Sequence, residues 1–125
     1  MAKQEEKQNE DWMEEYEGQL AVDVYQTPES VVIKAPIAGV KPEDLEISIT
    51  DEVVTLRGER KDVEEISREN YFCQECYWGA FSRSYVLPVA VDSEAAHASL
   101  KDGILTIDIP KQEKTKTRIL SVETT

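Results

Sequence analysis

The sequence predicts an antiparallel, all-β domain, and three observations carry that prediction. From Leu20 onward, apolar and polar residues alternate in short runs, the period of a strand with one buried face. Turn signals separate these runs at close spacing, as in a sheet built from hairpins and short loops. No helical stretch of about 10–15 residues stands between successive strands, which argues against a doubly wound α/β arrangement.

Residues 1–19 precede the alternating part and read as a flexible, acidic N-terminal arm. Trp12, Met13 and Tyr16 cluster inside it; Trp12, Tyr16 and Leu20 can line one face of a short helix that Gly18 breaks. Two readings stand: a solvated terminus, or a weakly sticky segment for self-assembly or for unfolded chains. Repulsion among its acids keeps the arm open in both.

The domain proper is expected over residues 20–111. In "LAVDVYQT", Leu20, Val22 and Val24 share one face. "SVVIKAPI" is a second strand and "AGVKPED" a loop. "LEISIT" alternates Leu45, Ile47 and Ile49 with Glu46 and Ser48, and "DE" turns the chain into "VVTLRGER". "KDVEEISREN" is the longest polar interval, either a short helix or a long loop. The strand signal resumes in "YFCQECYWGAF" and "SRSYVLP". Phe81, Arg83, Tyr85 and Leu87 there share one parity. That leaves Arg83 either buried, with carboxylates and carbonyls around its guanidinium, or half-exposed with only its stem covered.

"VAVDSEAAHAS" is the best helical candidate, a single turn capped near Asp92 or Ser93. "LKDGILTIDIP" is a tight turn into a strand. Gly103 supplies the positive φ, Leu105, Ile107 and Ile109 face one way, and Pro110 ends the strand because it has no N–H to donate. Residues 112–125 form a C-terminal extension: the basic tether "KQEKTKTR", which starts at the domain's last residue Lys111, then "ILSV". Leu120 and Val122 would project to one side of an extended chain. Such a terminus either frays or adds to a sheet edge or groove of its own or a neighbouring subunit, and the lysines ahead of it suit an acidic body.

A chain of 125 residues is one domain's worth and can bury a modest core. The formal net charge of −12 opposes binding to nucleic-acid phosphates and to anionic membrane surfaces, and favours solubility. No stretch approaches the roughly 20 apolar residues of a membrane span. No basic run leads into an apolar run at the N-terminus, so the expected location is the cytoplasm.

The residues offer little chemistry. Cys73 and Cys76 are too few for a disulfide scaffold, and on a strand they point to opposite faces. His97 sits beside alanines, and with the two cysteines it falls one ligand short of a closed zinc site. There is no GxSxG, glycine-rich phosphate loop or HExxH. The expectation is a protein that is not an enzyme and uses no cofactor or metal.

"AHASLKDGILTIDIP" resembles the small heat-shock proteins, which carry an α-crystallin domain: Ala98, Asp102, Gly103, Ile104 and Leu105 stand where that family has its alanine, polar, glycine, apolar and leucine positions. "LAVDVYQTPESVVIKAPIAGVKPEDLEISITDEVVTLRGER" resembles the family's first strands. "GAFSRSYVLP" resembles the segment whose arginine, here Arg83, lies at a subunit interface, and "ILSV" resembles its C-terminal anchor. The resemblance implies an immunoglobulin-like β-sandwich and an ATP-independent holdase that binds partly unfolded client proteins. It implies a homodimer that exchanges a strand matching Glu69–Cys76, with Tyr71, Phe72, Glu75 and Arg83 at the interface, and higher oligomers. Leu120 and Val122 would anchor in a groove formed by Leu45, Ile47, Leu100 and Leu105 of another dimer. Trp12, Met13 and Tyr16 would be the arm's client contacts.

Some positions depart from the family pattern: Ala38 replaces a common proline, Cys73 and Cys76 replace arginines, and the arm is short and acidic. The alternative is a non-enzymatic co-chaperone module of the p23 type, a similar sandwich without assembly or exchange.

Overall fold

A computed structural model describes residues 20–125, so the arm, with Trp12, Met13 and Tyr16, lies outside the described residues. The described chain forms seven strands: β1 (Asp23–Gln26), β2 (Ser30–Pro36), β3 (Leu45–Ile49), β4 (Val53–Arg60), β5 (Gly79–Val86), β6 (His97–Lys101) and β7 (Ile104–Pro110). They build two antiparallel sheets, a four-stranded one in the order β1-β2-β7-β6 and a three-stranded one in the order β3-β4-β5. The fold is an immunoglobulin-like β-sandwich.

The centre of the core is the β2–β7 pair. Val31, Ile33 and Ala35 lie opposite Ile109, Ile107 and Leu105, so every inward cross-strand pair is aliphatic. All six are essentially buried. They meet Val54 and Leu56 of β4 and Phe81 of β5 from the other sheet. Removing this apolar surface from water is the main favourable term in forming the sandwich. The alternation read for Leu20, Val22 and Val24 and for Leu45, Ile47 and Ile49 is present: these residues are buried or half-buried and pack against the core.

Turn chemistry fixes the hairpins. Thr27 closes β1–β2 by accepting the N–H groups of Glu29 and Ser30 on its hydroxyl, and Thr50 does the same for Glu52 and Val53 between β3 and β4. Asp102 and Gly103 join β6 to β7 with φ of 51° and 77°, as a two-residue type I′ loop demands. Gly58 serves a different purpose. It faces inward on β4 between Leu45 and Phe81, and a Cβ there would lie 2.5 Å from the Phe81 Cζ. Its missing side chain is the space the Phe81 ring occupies.

One local expectation is corrected. The run "YFCQEC" is not a strand within the single chain: β5 begins only at Gly79, and the preceding polar interval is a loop with one 3-10 turn at Arg68–Asn70. Aromatic composition favours a strand, but a strand also needs a neighbour for its backbone, and here residues 61–78 are largely exposed. The single turn expected within 89–99 is present as a 3-10 turn, Ser93–Ala95, although the flanking Asp92 makes no side-chain cap bond. Strand-type pairing claims residues on either side of it: Val91 bridges Lys111, just past β7, and His97 starts β6 opposite Asp108.

Candidate functional site

The sheet order leaves four strands at edges, and one hydrogen bond shows how they stack. Arg83 Nη1 donates to the Leu20 carbonyl at 3.4 Å, which brings β5 beside the start of the chain and β1. β1 and β5 therefore flank one side of the sandwich, and β3 and β6 the other.

On the β3/β6 side, among the described residues β3 pairs only with β4, and β6 only with β7. Their outer backbone groups form two edges that another chain can extend. Leu45, Ile47 and Ile49 on β3 and Leu100 on β6 are half-buried, packed inward yet reachable from outside. Leu105 differs from these: at 2% exposure it belongs to the core behind the groove, not to its surface. Its inward parity on β7 already placed it among the buried positions.

The C-terminal tether is held to the body and then released. The Gln112 N–H donates to the Ala90 carbonyl, the Thr115 hydroxyl to the same carbonyl at 2.9 Å, and the Thr117 N–H to the Pro28 carbonyl at 3.0 Å. Lys116 Nζ pairs with Glu113 at 2.8 Å and Glu29 at 3.3 Å. The hydrogen bonds to Glu113 and Glu29 hold the Lys116 ammonium above the ordinary lysine range. Beyond Thr117 the side chains face water: Leu120 is 69% and Val122 95% exposed. Ile119, also exposed, was not among the anchor residues read from the i, i+2 spacing; three aliphatics in four positions were its signal.

On the β1/β5 side, Arg83 takes the half-exposed alternative, and its hydrogen bond goes to a carbonyl rather than a carboxylate. Tyr71 is half-buried, Phe72 is fully exposed, and Glu75 contacts the Cys73 thiol at 3.5 Å. Nearby, Arg60 Nε donates to the Ala38 carbonyl at 2.9 Å and its guanidinium lies over the Phe81 ring, tying the end of β4 to the β2–β3 loop. Val63, Ile66, Tyr77 and Trp78 add exposed apolar surface that the spacing alone did not mark as a site. For Tyr77 and Trp78 the signal was two adjacent aromatics before Gly79, whose φ is +138°.

Among the described residues, no group of three or more His, Cys, Asp or Glu side chains could hold a metal ion. His97 is an exposed residue of β6, and Cys73 and Cys76 are free and exposed. No helix of the described chain is long and apolar enough to cross a membrane. The arrangement is suited to contact, through sheet edges and an aliphatic tail, on an acidic body.

Comparison with known proteins agrees with this architecture. Residues 23–123 match the profile of the Hsp20/alpha crystallin family. Small heat shock protein C2 of Rickettsia felis is 33% identical over 101 residues, covering 81% of this chain and 66% of the relative. Spore protein SP21 of Stigmatella aurantiaca is 32% identical over 102 residues, 82% of this chain and 60% of its own length. The chain thus spans slightly under two thirds of the length of these relatives. Heat shock protein 16.0 from Schizosaccharomyces pombe superposes with a TM-score of 0.73 at 27% identity, covering 86% of this chain and 100% of that one. A small heat-shock protein from Xylella fastidiosa, described as having a distinct high order structure, gives 0.71 at 30% identity, covering 86% and 99%.

Proposed function

The chain belongs to the Hsp20/alpha crystallin family, and on that premise we propose that it is an ATP-independent holdase that binds partly unfolded proteins and suppresses their aggregation. The observation that carries the proposal is the exposed aliphatic tail after Thr117, on a body whose β3 and β6 edges have no further strand among the described residues. An unfolding client exposes apolar surface, and association removes that surface from water without any catalytic step. The Leu120/Val122 tail docks in the β3/β6 groove of a neighbouring subunit, lined by Leu45, Ile47 and Leu100. Burying two such side chains contributes at most a few kcal/mol before ordering costs, a scale that heat can loosen. Release of the tail then uncovers the groove for clients.

The dimer forms by exchange of residues Glu69–Cys76 onto β1 of a second copy, with Tyr71, Phe72, Glu75 and Arg83 at the contact. Support comes from a segment that carries aromatic residues but has no strand partner among the described residues, and from β1, which among them pairs only with β2. Trp12, Met13 and Tyr16 complete the client surface, and the net charge of −12 keeps complexes soluble. We place the activity in the cytoplasm as part of the same proposal.

The test is light scattering from a heat-destabilised client, without ATP, with and without the chain. Suppression at near-stoichiometric amounts is expected. No suppression by folded protein, together with a solution mass of one chain, would replace the holdase with a p23-type co-chaperone module.

A further inference from the structure

We propose that Cys73 and Cys76 form a peroxide-responsive dithiol that switches strand exchange off. The inference rests on the exchange of residues Glu69–Cys76 described above and adds its regulation. Both thiols are free and exposed, in a stretch that lies outside every strand of the single chain. The Cys73 Sγ lies 3.5 Å from Glu75 Oε1, on the outer side of the loop, where a small oxidant reaches it.

Geometry makes the two states exclusive. In an extended strand, Cα atoms three residues apart are separated by about 10 Å, with the side chains on opposite faces. A disulfide needs Cα atoms about 4.4–6.8 Å apart. A four-residue turn brings its ends within about 7 Å, so Cys73-Gln74-Glu75-Cys76 can close a disulfide only as a turn. Closing it removes half of the Glu69–Cys76 segment from the extended form that pairing with the partner's β1 requires. β1 is four residues long and takes up only about half of that segment, so the switch requires a register that sets Cys73–Cys76 opposite it.

The oxidant is hydrogen peroxide. One thiolate attacks a peroxide oxygen, breaking the O–O bond to give a sulfenic acid and, after protonation, water. The other sulfur then displaces the sulfenic oxygen as a second water and the S–S bond forms. The two thiols together lose two protons and two electrons, and one peroxide becomes two waters. A dithiol reductant reverses the bond by exchange.

The experiment is native mass spectrometry and sedimentation of the full chain, reduced and after stoichiometric peroxide, with intact mass under denaturing conditions. The expected result is a dimer or larger assembly when reduced. The oxidised chain is expected to lose two hydrogens, to fall to the mass of one chain, and to return to the dimer with dithiothreitol. The Cys73→Ser/Cys76→Ser variant is expected to stay dimeric under both conditions. An oxidised chain that carries the internal disulfide yet stays dimeric overturns the switch and leaves strand exchange standing. So does a disulfide between protomers, or sulfinic acid in place of the bond. A reduced wild-type chain that is already monomeric overturns strand exchange itself, and the switch with it.

Discussion

The β2–β7 pair and residues 61–78 both carry large apolar side chains, yet their environments are opposite. Ile33, Ile107 and Ile109 are at most 1% exposed, whereas Val63 is 86% exposed and Phe72 fully so. The difference is not hydrophobicity but partnership. Each inward residue of β2 faces an aliphatic of β7 across the register and β4 or β5 across the sandwich. Residues 61–78 meet no such face among the described residues. The core residues are thus enclosed within the sandwich, whereas the exposed segment and the tail leave apolar surface in water.

Substitutions can break that comparison, and the largest effect belongs to the body. Ile107→Ala is expected to cost about 2–5 kcal/mol in urea unfolding, since the cavity adds to the lost transfer energy. Val63→Ala, in the exposed region, is expected to stay within about 0.5 kcal/mol. Equal costs would mean that residues 61–78 are packed as part of the body.

Next is Gly58→Ala, whose Cβ would lie 2.5 Å from Phe81 and 2.9 Å from Leu45. Overpacking of this kind costs about 1–3 kcal/mol. Phe81→Leu should cost less in that background than in the wild type, because the two positions share one space. Additive costs in the double variant would contradict the fit described for Gly58.

A smaller effect on the body, but a visible one on assembly, is expected from Leu120→Ala/Val122→Ala. With both side chains exposed, the unfolding midpoint of the body should not move. Any species above the dimer should diminish in sedimentation, and an unchanged mass distribution would sink the anchor.

The smallest effect is electrostatic. Lys116 is raised by its hydrogen bonds to Glu113 and Glu29. A raised lysine stabilises the docked tether below the ordinary lysine range, and that contribution is lost as pH climbs through the raised value. Carbon NMR of Lys116 should therefore give a midpoint above that of an ordinary lysine. Glu113→Gln with Glu29→Gln should return the midpoint to the ordinary value. The tether contact is insensitive to Lys116 titration near neutrality.

What could be read from sequence was local. The alternations at Leu45/Ile47/Ile49 and Leu105/Ile107/Ile109 report their buried faces directly, because a strand's period is fixed by its backbone. Gly103 was legible for a similar reason: Asp-Gly between alternating apolar residues matches a turn that demands positive φ. Residues 71–76 misled, because β preference is local while strand pairing is not. The single turn expected within 89–99 is present at Ser93–Ala95, while the pairing of Val91 with Lys111 and of His97 with Asp108 on either side of it follows from no local pattern. Lys111 is buried, at 3% exposure, with its ammonium on Gln26. Its signal was the inward parity of 105, 107 and 109 carried past Pro110, hidden by the habit of placing lysine outside. For the site, the tail's aliphatics were visible as spacing. That β3 and β6 are edges follows only from sheet order, which pairs residues distant in sequence.

The division between a closed body and exposed contact segments is tested most directly by hydrogen exchange on the chain alone and mixed with a heat-destabilised client, without ATP. The account predicts new protection at the β3 and β6 edges, residues 61–78 and the tail beyond Thr117, with β2 and β7 unchanged. Suppressed client aggregation with protection changes confined to β2 and β7, or with none in the exposed segments, would contradict it.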